Sequence, residues 1–147
     1  MLFRSPMQWN SSENAGFSPS DVETWLQVNK TSEENNVEVE EKDPESLLNC
    51  YKRFLKARKE TPALNSGSIE ILKIKKSPKV LLAYERKAMV NDEEHKAYVF
   101  LNFSKKTIKV RNPLKNPKIL VSTSIKTESI EDKHIVLTPW EGIVLLE

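Results

Sequence analysis

Three features of the sequence predict a mixed α and β chain in which one amphipathic helix precedes an antiparallel β-sandwich. Leu47, Leu48, Tyr51, Phe54 and Leu55 recur at i, i+1, i+4, i+7 and i+8, the spacing that places apolar side chains on one helical face. After the turn signal Asn65-Ser66-Gly67 the pattern changes to short alternating β-branched and apolar runs separated by polar or proline-containing breaks. Ahead of the helix, residues 1–42 are rich in Ser, Asn, Glu and Pro, with Trp9, Phe17 and Trp25 widely spaced. Such a segment buries little by itself, so it reads as irregular structure docked on a larger scaffold, of the kind that forms a functional rim.

Each element has a local reason. Asp43-Pro44 opens the helix: the Asp carboxylate can accept from free N–H groups, and the proline occupies the first position, where its missing donor costs nothing. The helix should run to about Glu60, because Pro62 biases Thr61 away from helical dihedrals. Burying its five apolar side chains would contribute on the order of 10 kcal/mol gross, so that face requires a partner. Strands are expected at 69–74, 80–86, 97–103, 107–111, 118–122, 135–138 and 143–146. In the third, Ala97, Val99, Leu101 and Phe103 face one way and Tyr98 and Phe100 the other, which predicts a central strand covered on both faces. Asn112-Pro113 and Asn116-Pro117 bracket a surface excursion. Thr138-Pro139-Trp140-Glu141-Gly142 reads as the last corner, with Trp140 closing the core. Trp25 reads as a packing anchor.

Composition narrows the function classes. A chain of 147 residues with 38% hydrophobic and 30% charged residues has room for one sizeable core and no second large domain. A net charge of +2 is too balanced to argue for nucleic acid. Lys73, Lys75, Lys76 and Lys79, then Lys105, Lys106, Lys109 and Arg111, lack the aromatic interleaving of a base-stacking platform and read as a solvated face. Cys50 is the single cysteine, and with only His95 and His134 it assembles no zinc site; it reads as a small half-buried apolar residue. The acidic run Glu33, Glu34, Glu38, Glu40 and Glu41 has no metal-ligand spacing, and three glycines make no phosphate-cradling loop, so no metal or cofactor is implied. There is neither an apolar run long enough to span a bilayer nor a charged start with an apolar core. Sequons at Asn10, Asn29 and Asn102 permit N-glycosylation of a secreted protein, the third lying within an expected strand.

The special residues concentrate at the start, in Arg4-Ser5-Pro6-Met7-Gln8-Trp9-Asn10 and Asn14-Ala15-Gly16-Phe17. Pro6 fixes its own φ and holds Ser5 out of the helical region, so Arg4 lies on an extended or turning backbone. Gln8 adds an amide, Trp9 a flat face with one N–H, and Gly16 permits a positive φ or a close approach. This is the profile of a packed functional loop.

R-S-P-M-Q-W-N and N-A-G-F-S, followed by Thr24-Trp25-Leu26, Val28-Asn29, Asn36-Val37 and Val39, resemble the late part of the α-glucosidases of glycoside hydrolase family 13. The resemblance continues through Asp43-Pro44-Glu45-Ser46-Leu47-Leu48-Asn49, Leu55-Lys56-Ala57-Arg58-Lys59-Glu60-Thr61-Pro62-Ala63-Leu64 and Val99-Phe100-Leu101-Asn102-Phe103-Ser104, so it covers nearly the whole chain. The closing Pro139-Trp140-Glu141-Gly142-Ile143-Val144-Leu145 looks most like the insect maltases.

The resemblance implies that residues 1–64 are the end of a catalytic (β/α)8 barrel, with its active-site rim loop and final helix, and that residues 65–147 are a C-terminal all-β sandwich. The family's catalytic carboxylates lie upstream of the R-x-P-x-Q-W block, so no catalytic residue falls in this chain. Arg4 matches the arginine at the floor of the family's glucose subsite. Its planar fork suits that place, because it binds a carboxylate through two bonds and keeps donors for sugar hydroxyls. The implied partner in the intact enzyme is an α-glucoside oligosaccharide, and the helix face Leu47, Leu48, Tyr51, Phe54 and Leu55 should pack on the barrel. The family usually has Asp where this chain has Asn10, and a polar turn where it has Met1-Leu2-Phe3, which is expected of a sequence that begins inside a longer protein. Two other classes fit the same residues: part of the ectodomain of an amino-acid-transporter heavy chain, with no hydrolysis, or a carbohydrate-binding module using Trp9, Trp25 or Trp140. Localisation stays open between an extracellular or membrane-associated place, as for an insect maltase, and the cytoplasm, as for a bacterial enzyme.

Overall fold

The computed structural model describes residues 5–124, 130–131 and 133–147. These fall into two compact units, one running to Lys52 and the other from Arg53 to Glu147.

The first unit is held by backbone and amide hydrogen bonds rather than by a large core. It is less irregular than its composition suggests, because α1 spans Val37–Lys42. Asn36 caps that helix: it is 3% exposed, its Oδ1 accepts from the Val39 N–H at 3.0 Å, and its Nδ2 donates to the Ser32 carbonyl at 2.8 Å. The next helix, α2, spans Leu47–Glu60, and its start differs from the expected Asp43-Pro44. Ser46 is the cap, its Oγ accepting from the Asn49 N–H at 3.1 Å, while Glu40 Oε2 accepts from the Leu48 N–H at 2.8 Å. Asp43 instead makes a preceding turn, accepting from the Glu45 N–H at 2.8 Å. The exchange is reciprocal: Ser46 Oγ and Asn49 Nδ2 donate to the Glu40 carbonyl at 2.6 and 2.8 Å, satisfying an acceptor that the short α1 leaves without a helical partner.

The second unit is built on a five-stranded antiparallel sheet in the order β1-β2-β3-β8-β5 and a three-stranded sheet in the order β4-β7-β6. The strands are β1 Ser68–Ile71, β2 Leu81–Val90, β3 Glu93–Asn102, β4 Ile108–Arg111, β5 Lys118–Ser122, β6 Ile130–Glu131, β7 His134–Leu137 and β8 Gly142–Leu146. All seven expected strands are present, and β6 is an additional short one. The second and third extend into one long hairpin paired from Leu81↔Asn102 to Val90↔Glu93. Its tip, Asn91-Asp92, takes positive φ at both residues, 50° and 64°, the twist-matched two-residue turn. As expected, β3 is central and buried on both faces at Ala97, Tyr98, Val99 and Phe100.

Two apolar clusters follow from strand alternation. On one face of the large sheet, Ala83, Tyr98, Phe100, Ile143 and Leu145 meet Ile108, Val110, Ile135 and Leu137 of the small sheet. On the other, Ala97, Val99 and Val144 meet Phe54 and Ala57 of α2 and Ala63 and Leu64 of α3, the short helix Pro62–Ser66 that resumes after the break at Thr61. The helix face divides accordingly. Phe54 is half-buried on the sheet, while Leu47, Tyr51 and Leu55, spaced at i, i+4 and i+8, are 72%, 64% and 58% exposed.

Two aromatic expectations fail. Trp25 is 82% exposed and anchors no core. Trp140 is 59% exposed, because its φ of 60° turns the side chain away from the core that its corner closes. The neighbouring Glu141, 2% exposed, closes that corner instead. Its Oε2 accepts from the Thr138 N–H at 2.7 Å and hydroxyl at 2.9 Å, and its Oε1 from the Ser122 hydroxyl at 3.1 Å.

Candidate functional site

The loop after Arg4 is rigid for reasons visible in its bonds. Pro6 and Ala15 are buried. Asn14, Ala15 and Gly16 all take positive φ, 55°, 53° and 66°, reversing the chain so that the Ala15 carbonyl accepts from the Trp9 and Asn10 N–H groups at 2.9 and 3.3 Å. An alanine in that region is strained by about 1–2 kcal/mol, which the surrounding bonds must offset. Asn14 Nδ2 does part of this, donating to the Pro19 and Val22 carbonyls at 2.8 Å each. Gly16 is required twice over: its φ is left-handed, and a Cβ there would lie 2.7 Å from Asn10 Nδ2.

The other edge of the loop is tied to α1. Carbonyls of Gln8 and Trp9 accept from the Val37 and Glu38 N–H groups at 3.0 Å each, two first-turn donors that the helix cannot satisfy internally. Gln8 Nε2 donates to the Asn35 carbonyl at 2.8 Å, so this amide positions the loop. Asn10 Oδ1 accepts from the Ser12 N–H and hydroxyl at 3.0 and 2.5 Å, so in place of the family's expected carboxylate this chain uses a neutral amide as a local turn former. What the loop offers outward is apolar: Met7, Trp9 and Phe17 are each about half exposed. Beside it lies an open, polar depression of about 500 Å³ lined by Ser12, Glu13, Asn14, Asn29, Lys30 and Glu33.

Arg4 itself lies outside the described residues, so the structure places its neighbours and not its guanidinium. Among the described residues no group of three His, Cys, Asp or Glu side chains could hold a metal ion. The three sequons differ. Asn102 is 2% exposed, its Nδ2 donating to the Lys106 and Thr138 carbonyls at 2.8 and 2.7 Å, and no glycan can be attached there without unfolding the corner. Asn10 is half-buried against Gly16. Asn29 is exposed, with its Oδ1 accepting from the Thr31 N–H and hydroxyl at 3.2 Å each. The tie between the Gln8-Trp9 carbonyls and α1 is the feature the sequence reading missed. Asn36 ahead of Val37-Glu38-Val39-Glu40 was its available signal, a side chain suited to capping before an acidic first turn.

Residues 2–67 match the family model for the α-amylase catalytic domain. The chain is 33% identical over 145 residues to the oligo-1,6-glucosidase of Parageobacillus thermoglucosidasius, covering 96% of this chain and 24% of that protein. It is 34% identical over 140 residues to an α-glucosidase of Candida albicans, covering 95% and 23%. In structure it is similar to isomaltulose synthase of Klebsiella sp. LX3, with a TM-score of 0.76 and 27% identity, over 97% of this chain and 25% of that one. Residues 2–67 thus match the α-amylase family and nearly the whole chain is similar to α-glucosidases, of whose length it spans about a quarter.

Proposed function

We propose that the chain is the carboxy-terminal portion of a retaining α-glucosidase that releases terminal α-linked glucose from maltose or short oligosaccharides. The observation that carries this reading is the continuous similarity to an oligo-1,6-glucosidase along 96% of the chain. Residues 1–64 would complete the catalytic barrel and residues 65–147 would form the sandwich domain that braces it. In a retaining enzyme two carboxylates form and hydrolyse a glycosyl-enzyme intermediate. Those groups belong to the part of the protein outside this sequence.

The contribution of this chain is binding. Arg4 would hold a carboxylate of the glucose subsite through its planar fork while donating to sugar hydroxyls. The Gln8-Trp9 anchor on α1 would fix the backbone from which it projects. Leu47, Leu48, Tyr51 and Leu55 would face the barrel while Phe54 packs on the sheet, and the exposure of Leu47, Tyr51 and Leu55 supports a missing partner. By itself the 147-residue chain should hydrolyse neither maltose nor p-nitrophenyl α-glucoside.

The test is the longer protein, obtained by reading the transcript upstream of Met1. It should hydrolyse maltose, and Arg4→Ala should lower kcat/KM by at least about a hundredfold, with Arg4→Lys failing to restore it. Turnover by the pure 147-residue chain, abolished by the same substitution, would overturn the division of labour. Sugar products should be identified as well, since the names of similar proteins include a synthase beside the glucosidases.

A further inference from the structure

We propose that the end of the β unit carrying Phe103 and Trp140 docks on an anionic lipid bilayer. Three connections described in full meet at that end: residues 72–80 between β1 and β2, residues 103–107 between β3 and β4, and residues 138–141 between β7 and β8, beside Ser122 and Thr123 where β5 leads into the β5–β6 connection, whose residues 125–129 lie outside the described residues. They are tied together by the Phe103 N–H donating to the Val80 carbonyl at 2.9 Å and the Trp140 N–H donating to the Ser104 carbonyl at 3.1 Å.

Among the described residues, the charge at this end is one-sided. Lys73, Lys75, Lys76, Lys79, Lys105 and Lys106 are exposed, and among the described residues none has an ion pair. The one acid in these connections, Glu141, is 2% exposed and faces inward. A chain with a net charge of only +2 has therefore gathered six cations at one end, and the complementary partner is anionic.

The same end also exposes apolar surface that a purely ionic partner does not require. Phe103 and Trp140 are 57% and 59% exposed, and Val80 is 37% exposed. Trp140 is held there against two costs, since a left-handed φ of 60° is unfavourable for a tryptophan and so is the exposed indole. The Glu141 network and the Ser104 bond fix the corner in that state. Lysines surrounding a tryptophan and a phenylalanine match the interface of a bilayer, where cations meet lipid phosphates and amphipathic rings settle at headgroup depth. Among the described residues no helix is long and apolar enough to cross a membrane, so the contact would be peripheral.

The experiment is co-sedimentation of the 147-residue chain with vesicles of phosphatidylcholine alone or with about a third phosphatidylserine, at low and high salt. Binding should require phosphatidylserine, fall at high salt, and drop at least about tenfold in Lys105→Glu/Lys106→Glu. Trp140→Asn, which tolerates the left-handed backbone, should weaken binding and abolish a lipid-dependent blue shift of tryptophan emission. Circular dichroism checks that each variant is folded. Equal binding to both vesicle types, or no binding, overturns the proposal. So does vesicle binding that is unchanged by Trp140→Asn and matched by heparin, which would identify a polyanion site. Lys52→Glu/Lys56→Glu, on α2, should leave binding intact; an equal loss there would mean that only net charge matters.

Discussion

Glu141→Ala is the substitution that best tests how the β unit is closed. The carboxylate is 2% exposed and accepts three hydrogen bonds of 2.7–3.1 Å, two from Thr138 and one from Ser122. It therefore joins the end of β5 to the turn that leads into β8. Hydrogen bonds to an ionised acceptor contribute about 1.5–3 kcal/mol each, but the two hydroxyls can rotate toward other acceptors when the carboxylate is gone. The backbone N–H of Thr138 cannot. One orphaned N–H, two weakened hydroxyls and a small cavity together give an expected loss of about 3–5 kcal/mol. A domain of this size has about 5–15 kcal/mol in total, so the variant should lose a sizeable fraction of its stability. Glu141→Gln keeps one acceptor oxygen and should lose about half as much. Urea denaturation followed by far-UV circular dichroism reads both values from the midpoints at constant slope. A Glu141→Ala midpoint corresponding to less than about 1 kcal/mol would refute the reasoning, because the corner would then be held by apolar packing alone.

Other outcomes are expected from the same bonds. Asn102→Ala should destabilise the β unit by about 2–3 kcal/mol, since the Lys106 and Thr138 carbonyls lose their shared donor; urea denaturation measures it. Gly16→Ala places a Cβ 2.7 Å from the Asn10 amide at a φ of 66°, so the Trp9 and Asn10 amides should exchange at least about tenfold faster with solvent in a hydrogen-exchange experiment. Passage of the chain through a secretory host should add glycan at Asn29 and none at Asn102, read by peptide mass after glycosidase treatment. For pH, the lysines beside Glu38, Glu94 and Glu131 hold these carboxyls below their ordinary value of 4.5, so their contribution is complete above that value and is lost as pH falls through the lowered one. Glu94 raises Lys96 above its ordinary 10.5, so that contribution is complete below 10.5 and is lost as pH rises through the raised value. All four groups are at the surface, so the acid and alkaline losses should be small and should shrink further with added salt in thermal melts.

The parts of the fold legible in the sequence are those where one residue pattern answers to one partner. The alternation in β3 is simple because each face meets a different apolar layer, so Ala97 and Val99 separate cleanly from Tyr98 and Phe100. The far half of the β2–β3 hairpin was illegible for the opposite reason. Its residues are mostly charged or exposed, and Glu94 pairs across the strands with Lys87 and along its own strand with Lys96, which leaves no hydrophobic period to read. The helix starts later than expected because Asp43-Pro44, a valid local signal, makes only a turn at Glu45, while Ser46 and Glu40 satisfy the Asn49 and Leu48 N–H groups where the helix begins. Trp140 departs from its expected place because residue type does not set side-chain direction. Its corner does close the core, but a positive φ gives that task to Glu141 and turns the indole outward. The candidate site divides in the same way. Gly16 and the Pro6 loop were readable from backbone chemistry, whereas the role of Gln8 depended on where Asn35 and α1 come to lie, which no local pattern encodes. If Arg4 recognises sugar as proposed, anchoring and recognition fall to different residues, so substituting Gln8 should loosen the loop, while substituting Arg4 should leave the loop intact and remove sugar affinity alone.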